Sequence, residues 1–416
     1  MTRQQRTTHS IFAIHLQVGT IPFVLAAIFA AAVVSIPPAH AQTITVLHSF
    51  NSGADGSGSN PVAGVTLDRA GNLYGTTYGG GDPSNVFKMS HAGSGWIFNT
   101  LYAFNHPNDP TDVYAGVVIG SDGRLYGTAY SGGQFNLGAV FALQPPATVC
   151  KSVSCPWTLT ILYNFDGSDG THPYLGNLVF DAAGNVYGTT SAGGAHVRGA
   201  VFKLTRSNGW AESVLYSFTG GDDGGTPENG VAFDSAGNLY GTTSVGGSGY
   251  GTVYELSPSG SGWTETTLYA FTGGADGASP IGGVAVDAQG DLYGTASSGG
   301  TGAGTAWELS PSNGEWAFTL LYSFSGRTTP GPTATPTLDA AGNIYGTSPY
   351  AGEDEFGEAF KLTPTGGGWT YTSYHFDLSD GQHPECSVAL DANGNLFGTA
   401  PFGGAGDSGV VWEITP

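Results

Sequence analysis

A nine-residue core of the form Asp-x-x-Gly-Asn-Leu-Tyr-Gly-Thr returns along the chain at 68–76, 181–189, 234–242, 287–295, 339–347 and 391–399. A degenerate copy at 120–128 carries Gly120 in place of the Asp, which makes seven. The Gly that follows the aromatic recurs every 52 or 53 residues, with one gap of 61 between Gly127 and Gly188. Self-similarity at a fixed period of this length means that each repeat is one supersecondary unit stacked on its neighbours.

Each unit holds four short strand signals, lettered a to d, rich in β-branched and aromatic residues and bounded by Gly, Asp or Pro. In the clearest copy they fall at 283–287, 291–295, 304–309 and 316–324. The a–b link is a tight turn in which Asp accepts turn N–H groups and Gly supplies the positive φ. No sustained helical periodicity follows the N-terminal segment. Four strands in each of seven units predict an all-β chain, a seven-bladed β-propeller of four-stranded blades. Repeat cores are expected near 61–104, 115–165, 175–218, 228–271, 281–324, 334–376 and 386–416. The last core has a, b and c but no d, and residues 44–50 read as an orphan d strand. The N-terminal strand is therefore expected to complete the last blade and remove the open sheet edges. In strand d, strict alternation puts Trp263, Glu265, Thr267, Tyr269 and Phe271 on one face. The recurring Tyr-x-Phe pair suits the space between stacked blades.

Composition limits the partners. Asp and Glu number 32 against 11 Lys and Arg, a net charge of −21. That field repels phosphates and anionic lipid and permits cations, neutral sugars or basic surfaces. At the N-terminus, Arg3 and Arg6 precede an apolar run over 21–36 and an Ala39-His40-Ala41 step. This is the pattern of a signal peptide over 1–41, with the propeller over 42–416. A secreted, periplasmic or cell-surface protein is expected, without an integral membrane span once the leader is removed, and monomeric. Cys150 and Cys155 lie in a loop insertion and are expected to pair in such a compartment. Cys386 opens a buried strand signal and reads as an inert core thiol.

The unit resembles the GloVer tandem repeat of exported choice-of-anchor proteins. The resemblance rests on Leu-Tyr-Ser-Phe at 215–218, Gly-Gly-x-Asp-Gly at 273–277, Gly-Asn-Leu-Tyr-Gly-Thr-Thr at 237–243 and Val-Phe-Lys-Leu at 201–204. It covers 42–416. The blades also look, more loosely, like NHL-type blades. The resemblance implies no reaction and no catalytic residues. Members often carry a C-terminal anchor, and none is expected here because the last strand signal runs to the end of the sequence.

Candidate chemistry sits on the face that the d–a and b–c loops share. The d–a loops repeat an Asp-Gly step at Asp55, Asp169, Asp223, Asp276 and Asp380. Carboxylates of this kind can ligate calcium, but one Asp per loop is thin for a hard cation, and a turn-capping Asp explains the step equally. No cofactor is expected. His172 and His383 stand in matching positions, each before a Pro. With His106, His196, Glu228, Glu353, Glu355 and Glu385 they could supply an acid–base pair if they converged. Two loops break the pattern, 105–112 with Asp109 and Asp112, and 326–332 with Arg327. The expected function is binding or scaffolding by an exported, non-enzymatic propeller, with an extracellular polysaccharide or protein as partner and no nucleic acid. A polysaccharide lyase or hydrolase using loop His, Asp and Glu is the alternative. Fold alone decides neither.

Overall fold

The computed structural model describes residues 43–415 except 53–55, 80–82, 94, 148–156, 326–329 and 352–353. The expected leader and the residues Asp55, Cys150, Cys155, Arg327 and Glu353 lie outside the described residues. Seven four-stranded antiparallel sheets follow one another along the chain. In blade 5 the strands are Ala285–Val286, Leu292–Ala296, Thr305–Ser312 and Glu315–Ser323, paired in chain order. Strand a is shorter than its sequence signal because the residues before it bond to other blades. Gly283, for example, donates its N–H to Thr335 Oγ1 at 3.0 Å. Blade 7 takes Ala389–Leu390, Leu396–Ala400 and Val410–Ile414 from the end of the chain and Ile44–Ser49 from its beginning. Ile44 pairs with Ile414 and Ser49 with Val410, so the N-terminal strand closes the ring as d strand of the last blade.

The repeated core explains itself once the blades are built. The Asp68 carboxylate accepts the N–H groups of Ala70 and Asn72, the Asn72 side-chain amide and the Tyr74 hydroxyl. The same set recurs at Asp181, Asp234 and Asp339. In strand b, Gly75 lies opposite Phe87 of strand c, and a Cβ there would stand 2.4 Å from the ring. Only Gly lets the large aromatic lie flat on the neighbouring strand. The Thr that follows staples one blade to the next through a buried hydroxyl. Thr189 Oγ1 donates to the Asn229 carbonyl at 2.7 Å, Thr242 to Gly282 at 2.8 Å, Thr347 to Cys386 at 2.8 Å. Thr76 and Thr295 do likewise, and Thr399 closes the circle onto Ala63 at 2.7 Å.

Seven apolar clusters fill the space between blades, one at each junction. Phe of each Tyr-x-Phe pair sits in them, with Phe165, Phe218 and Phe271 fully buried. The Tyr hydroxyl instead reaches the d–a loop. One sequence expectation fails here: Trp263 and Tyr269 do not share a face. The pairing of strands c and d slips between Val253 and Tyr254, which leaves Leu268 as an extra residue. Such a bulge reverses the alternation. Trp263 therefore packs toward blade 3, while Tyr269 stacks on Phe318 of blade 5 with centroids 4.4 Å apart. Cys386 lies in the cluster between blades 6 and 7, where burial pushes its thiol up to about 11.

Candidate functional site

The d–a and b–c loops are zipped together on one face by paired residues: Thr171 with Ala192, Gly225 with Val245, Ala278 with Ser298 and Gln382 with Phe402. At the inner end of each such d–a loop the chain makes a left-handed corner. Asn60, Asp112, His172, Thr226, Ser279 and His383 occupy equivalent corners with φ between 51° and 59°. A left-handed non-Gly residue costs roughly 1–2 kcal/mol, and hydrogen bonds on both sides hold it there. The His172 N–H donates to Leu137 O of the preceding blade at 2.9 Å, and its carbonyl accepts from Ser191 at 3.1 Å. Because the backbone fixes the corner, its side chain is free to vary.

In most blades a Pro follows the corner, and the residue two after the corner lines the central cavity in blades 1, 2 and 7. Around the ring from blade 1 that position holds Val62, Tyr114, Tyr174, Glu228, Ile281, Thr333 and Glu385. A cavity of 620 Å³ lies at the ring centre, with Val62, Tyr114, Asn177, Asn229, Thr335 and Glu385 among its walls. That volume is in the range of small-molecule sites.

The tyrosines form an arc. Tyr78 stacks on Tyr114 at 4.3 Å between centroids. Tyr114 meets Tyr174 edge-on at 5.0 Å and Tyr130 at 5.6 Å. Tyr130 contacts Tyr174 at 5.5 Å and His172 at 4.6 Å. All five rings are half-buried, so their edges and part of their faces meet solvent. Burial holds the Tyr174 phenol up at about 12, and the Glu228 and Glu385 carboxylates push it the same way. Burial also raises both of those carboxylates above the usual range, although a Ser244 bond offsets part of the rise at Glu228. Burial lowers His172.

The arc sits where the ring departs from its own symmetry. Pro227 stands seven residues before Asp234 and Pro384 seven before Asp391, but Pro173 stands eight before Asp181. With the extra residue, Leu175 turns its N–H to Glu228 O of blade 4 at 2.9 Å. The staple from blade 2 is lost, and Thr128 Oγ1 is buried with no hydrogen-bond partner among the described residues.

The residues singled out by repetition have other tasks. Asp223 accepts the Tyr216 hydroxyl at 3.0 Å, the Thr219 N–H at 2.7 Å and the Thr219 hydroxyl. Asp276 repeats this set with Tyr269 and Thr272. Asp169 takes the Tyr163 hydroxyl and the N–H groups of Asp166 and Gly167, and Asp380 takes the Asp377 N–H. In the irregular loop, Asp109 accepts Tyr102 and the His106 N–H. These carboxylates cap their own loops, and all but Asp380 also hold a strand d tyrosine. His172 and His383 stand four blades apart in the chain order. His172 Nδ1 meets Thr171 Oγ1 at 2.9 Å, and His383 Nδ1 meets the Pro349 carbonyl at 2.8 Å beside Tyr350 and Phe402. His196 is exposed. A carboxylate–imidazole contact occurs elsewhere, between Glu358 and His375 Nδ1 at 3.3 Å. It lies in a 280 Å³ cleft with Tyr322, Phe324, Tyr371 and Ser373. Ser373 Oγ lies 3.4 Å from His375 Nε2. Among the described residues no three His, Cys, Asp or Glu are grouped to hold a metal, and no helix is long and apolar enough to cross a membrane.

Comparison with known proteins gives the family context. A profile of the Gloeobacter/Verrucomicrobia repeat matches residues 29–248, 147–335 and 248–416. No curated protein matches. Among solved structures, a protein assigned as a 6-phosphogluconolactonase from Bacteroides uniformis is 15% identical over 75% of this chain and 83% of its own, with a TM-score of 0.47. A Thermus thermophilus protein assigned as an oxidoreductase (glucose dehydrogenase) is 12% identical over 90% and 99%, with a TM-score of 0.46. A third, assigned as a gluconolactonase, is 12% identical over 90% and 92%, with a TM-score of 0.41. Likenesses this distant transfer no chemistry to the chain.

Proposed function

The chain belongs to the Gloeobacter/Verrucomicrobia repeat family, and from that footing we propose that it is an exported binding propeller that takes a glycan at the channel mouth. The observation that carries this is the arc of Tyr78, Tyr114, Tyr130, Tyr174 and His172 beside a 620 Å³ cavity. Half-buried tyrosines offer an apolar face for a pyranose ring and a hydroxyl for its polar edge. The acidic field suits a neutral or cationic ligand. Export rests on the N-terminal pattern of Arg3, Arg6 and the apolar run. A hydrolytic reading has one favouring observation, the row of Ser373, His375 and Glu358 in the blade 5–6 cleft.

One experiment separates the two. Protein recovered from outside the cell, its N-terminus read at Gln42, is mixed with insoluble polysaccharides and cell-wall fragments. Depletion from solution and released sugar are both measured. Binding predicts depletion without release, weakened about tenfold or more in Tyr114→Ala and Tyr174→Ala. Release that vanishes in His375→Ala overturns the binding reading in favour of hydrolysis in the cleft. Absence of both outcomes also overturns it.

A further inference from the structure

The mouth has an order that no single residue reveals. From blade 7 through blade 4 the position two residues after the left-handed corner reads Glu385, Val62, Tyr114, Tyr174, Glu228. Two adjacent tyrosines thus have Glu228 on one side and, beyond Val62, Glu385 on the other. The remaining positions, Ile281 and Thr333, are neutral. Glu228 adjoins the arc through its carbonyl, which accepts the N–H of Leu175, the neighbour of Tyr174, at 2.9 Å. Glu385 lines the same cavity as Tyr114. No ion pair to a Lys or Arg is formed by either Glu among the described residues. The ion pairs to Arg that are formed there lie on Asp122, in the a–b turn on the opposite face.

Resting on the glycan-binding reading, we propose that the mouth selects a cationic sugar: a polymer of hexosamine units with free, protonated amines. Each group has a part in this. The tyrosine faces attract an ammonium through their quadrupoles, and a pyranose ring lies against their apolar surface. Glu228 and Glu385 supply the negative charge that a half-buried cation needs, and the cation in turn stabilises carboxylates that burial disfavours. An N-acetylated sugar offers neither the charge nor relief to the two glutamates. A carboxylated sugar is repelled.

The test is a calorimetric titration of the purified protein near pH 6, where hexosamine amines are protonated. Four probes are used: a glucosamine hexamer, its fully N-acetylated counterpart, a neutral β-glucan hexamer and a lysine hexapeptide. The glucosamine hexamer is expected to bind about tenfold or more tightly than the acetylated one. In Glu228→Gln/Glu385→Gln that ratio falls toward one, while circular dichroism stays unchanged. Equal binding of acetylated and free-amine hexamers overturns the charge selection and leaves glycan binding standing. Lysine hexapeptide binding as tightly as the hexosamine overturns the sugar assignment. Binding of no glycan removes the glycan reading together with the selection that rests on it.

Discussion

The junction between blades 2 and 3 lacks a bond that the one between blades 3 and 4 has. At the second, Thr189 donates its buried hydroxyl to Asn229 O. At the first, Thr128 holds the same place and its hydroxyl has no hydrogen-bond partner among the described residues. A buried hydroxyl without a partner costs about 1–3 kcal/mol, so the missing bond weakens this junction relative to the same junction with its staple formed. The same junction carries Tyr114, Tyr130, Tyr174 and His172. Six staples hold the ring, and the seventh is missing at the junction that carries Tyr174. The inserted residue and the missing staple both lie beside the tyrosine arc, and functional sites are where local rules tend to be broken.

The comparison can be broken most severely at the far side of the ring. Deleting residues 43–50 removes the whole d strand of blade 7 and the fully buried Phe50. It leaves Val410–Ile414 as an open edge. Loss of the cooperative thermal transition, or a shift to oligomers on size exclusion, is the expected outcome. A truncated protein that melts as a monomer at the parent temperature means that closure does not hold the ring. The missing staple between blades 2 and 3 could then not be singled out as weakening it.

How much of this was legible in the sequence divides along the same line. Repetition fixes the blades, the turn Asp, the strand Gly and the closing strand, because each solves a packing problem that recurs seven times. Leu268 was not legible as a bulge, since it is an ordinary strand residue and nothing in its type announces the slip. The Asp-Gly steps drew attention because they recur, yet recurrence reflects their common task of capping a loop. Part of the tyrosine arc, Tyr114 and Tyr174, was legible in principle by aligning the d–a loops and reading the same position in each. The extra residue near Asn177 was hidden for a specific reason. It falls in the same 61-residue gap as the Cys150–Cys155 insertion, and one count absorbed both.

Staple substitutions sharpen the contrast directly. Thr242→Val removes a buried hydroxyl and strands the Gly282 carbonyl. A loss of about 1–3 kcal/mol is expected in urea denaturation. Thr128→Val removes a hydroxyl that already lacks a partner among the described residues, so the variant should be as stable as the parent or more so, by up to about 1–3 kcal/mol. Deleting Asn177 restores the seven-residue spacing. In that background Thr128→Val should become costly, and the difference is the coupling energy of a re-formed staple. Equal costs for Thr128→Val and Thr242→Val in the parent sink the idea that the junctions differ.

The smallest effect separates two members of the Asp-Gly set. Burial would raise Asp223, but the Thr219 hydroxyl and N–H and the Tyr216 hydroxyl hold it below the usual range. Asp380 accepts the Asp377 N–H, and burial raises it from 3.8 to about 6. The signs are opposite. Asp223 contributes stability that is present above the ordinary carboxylate range and is lost as pH falls through its depressed value. For Asp380 the folded ring binds the proton more tightly than the unfolded chain between about 4 and 6. Its contribution is full below that window and is lost as pH rises through it. Asp380→Asn keeps the acceptor for the Asp377 N–H and removes the titration. At pH 7 the variant should be as stable as the parent or more so, by up to about 1 kcal/mol after solvent screening. At pH 4 the advantage should be gone. Asp223→Asn should be destabilised at pH 7 instead, because its carboxylate accepts three donors there. Denaturant melts of both variants across pH 4 to 7 decide the matter. Parallel losses at pH 7 would make the two loops equivalent, and the assignment of Asp380 as the disfavoured carboxylate would be wrong.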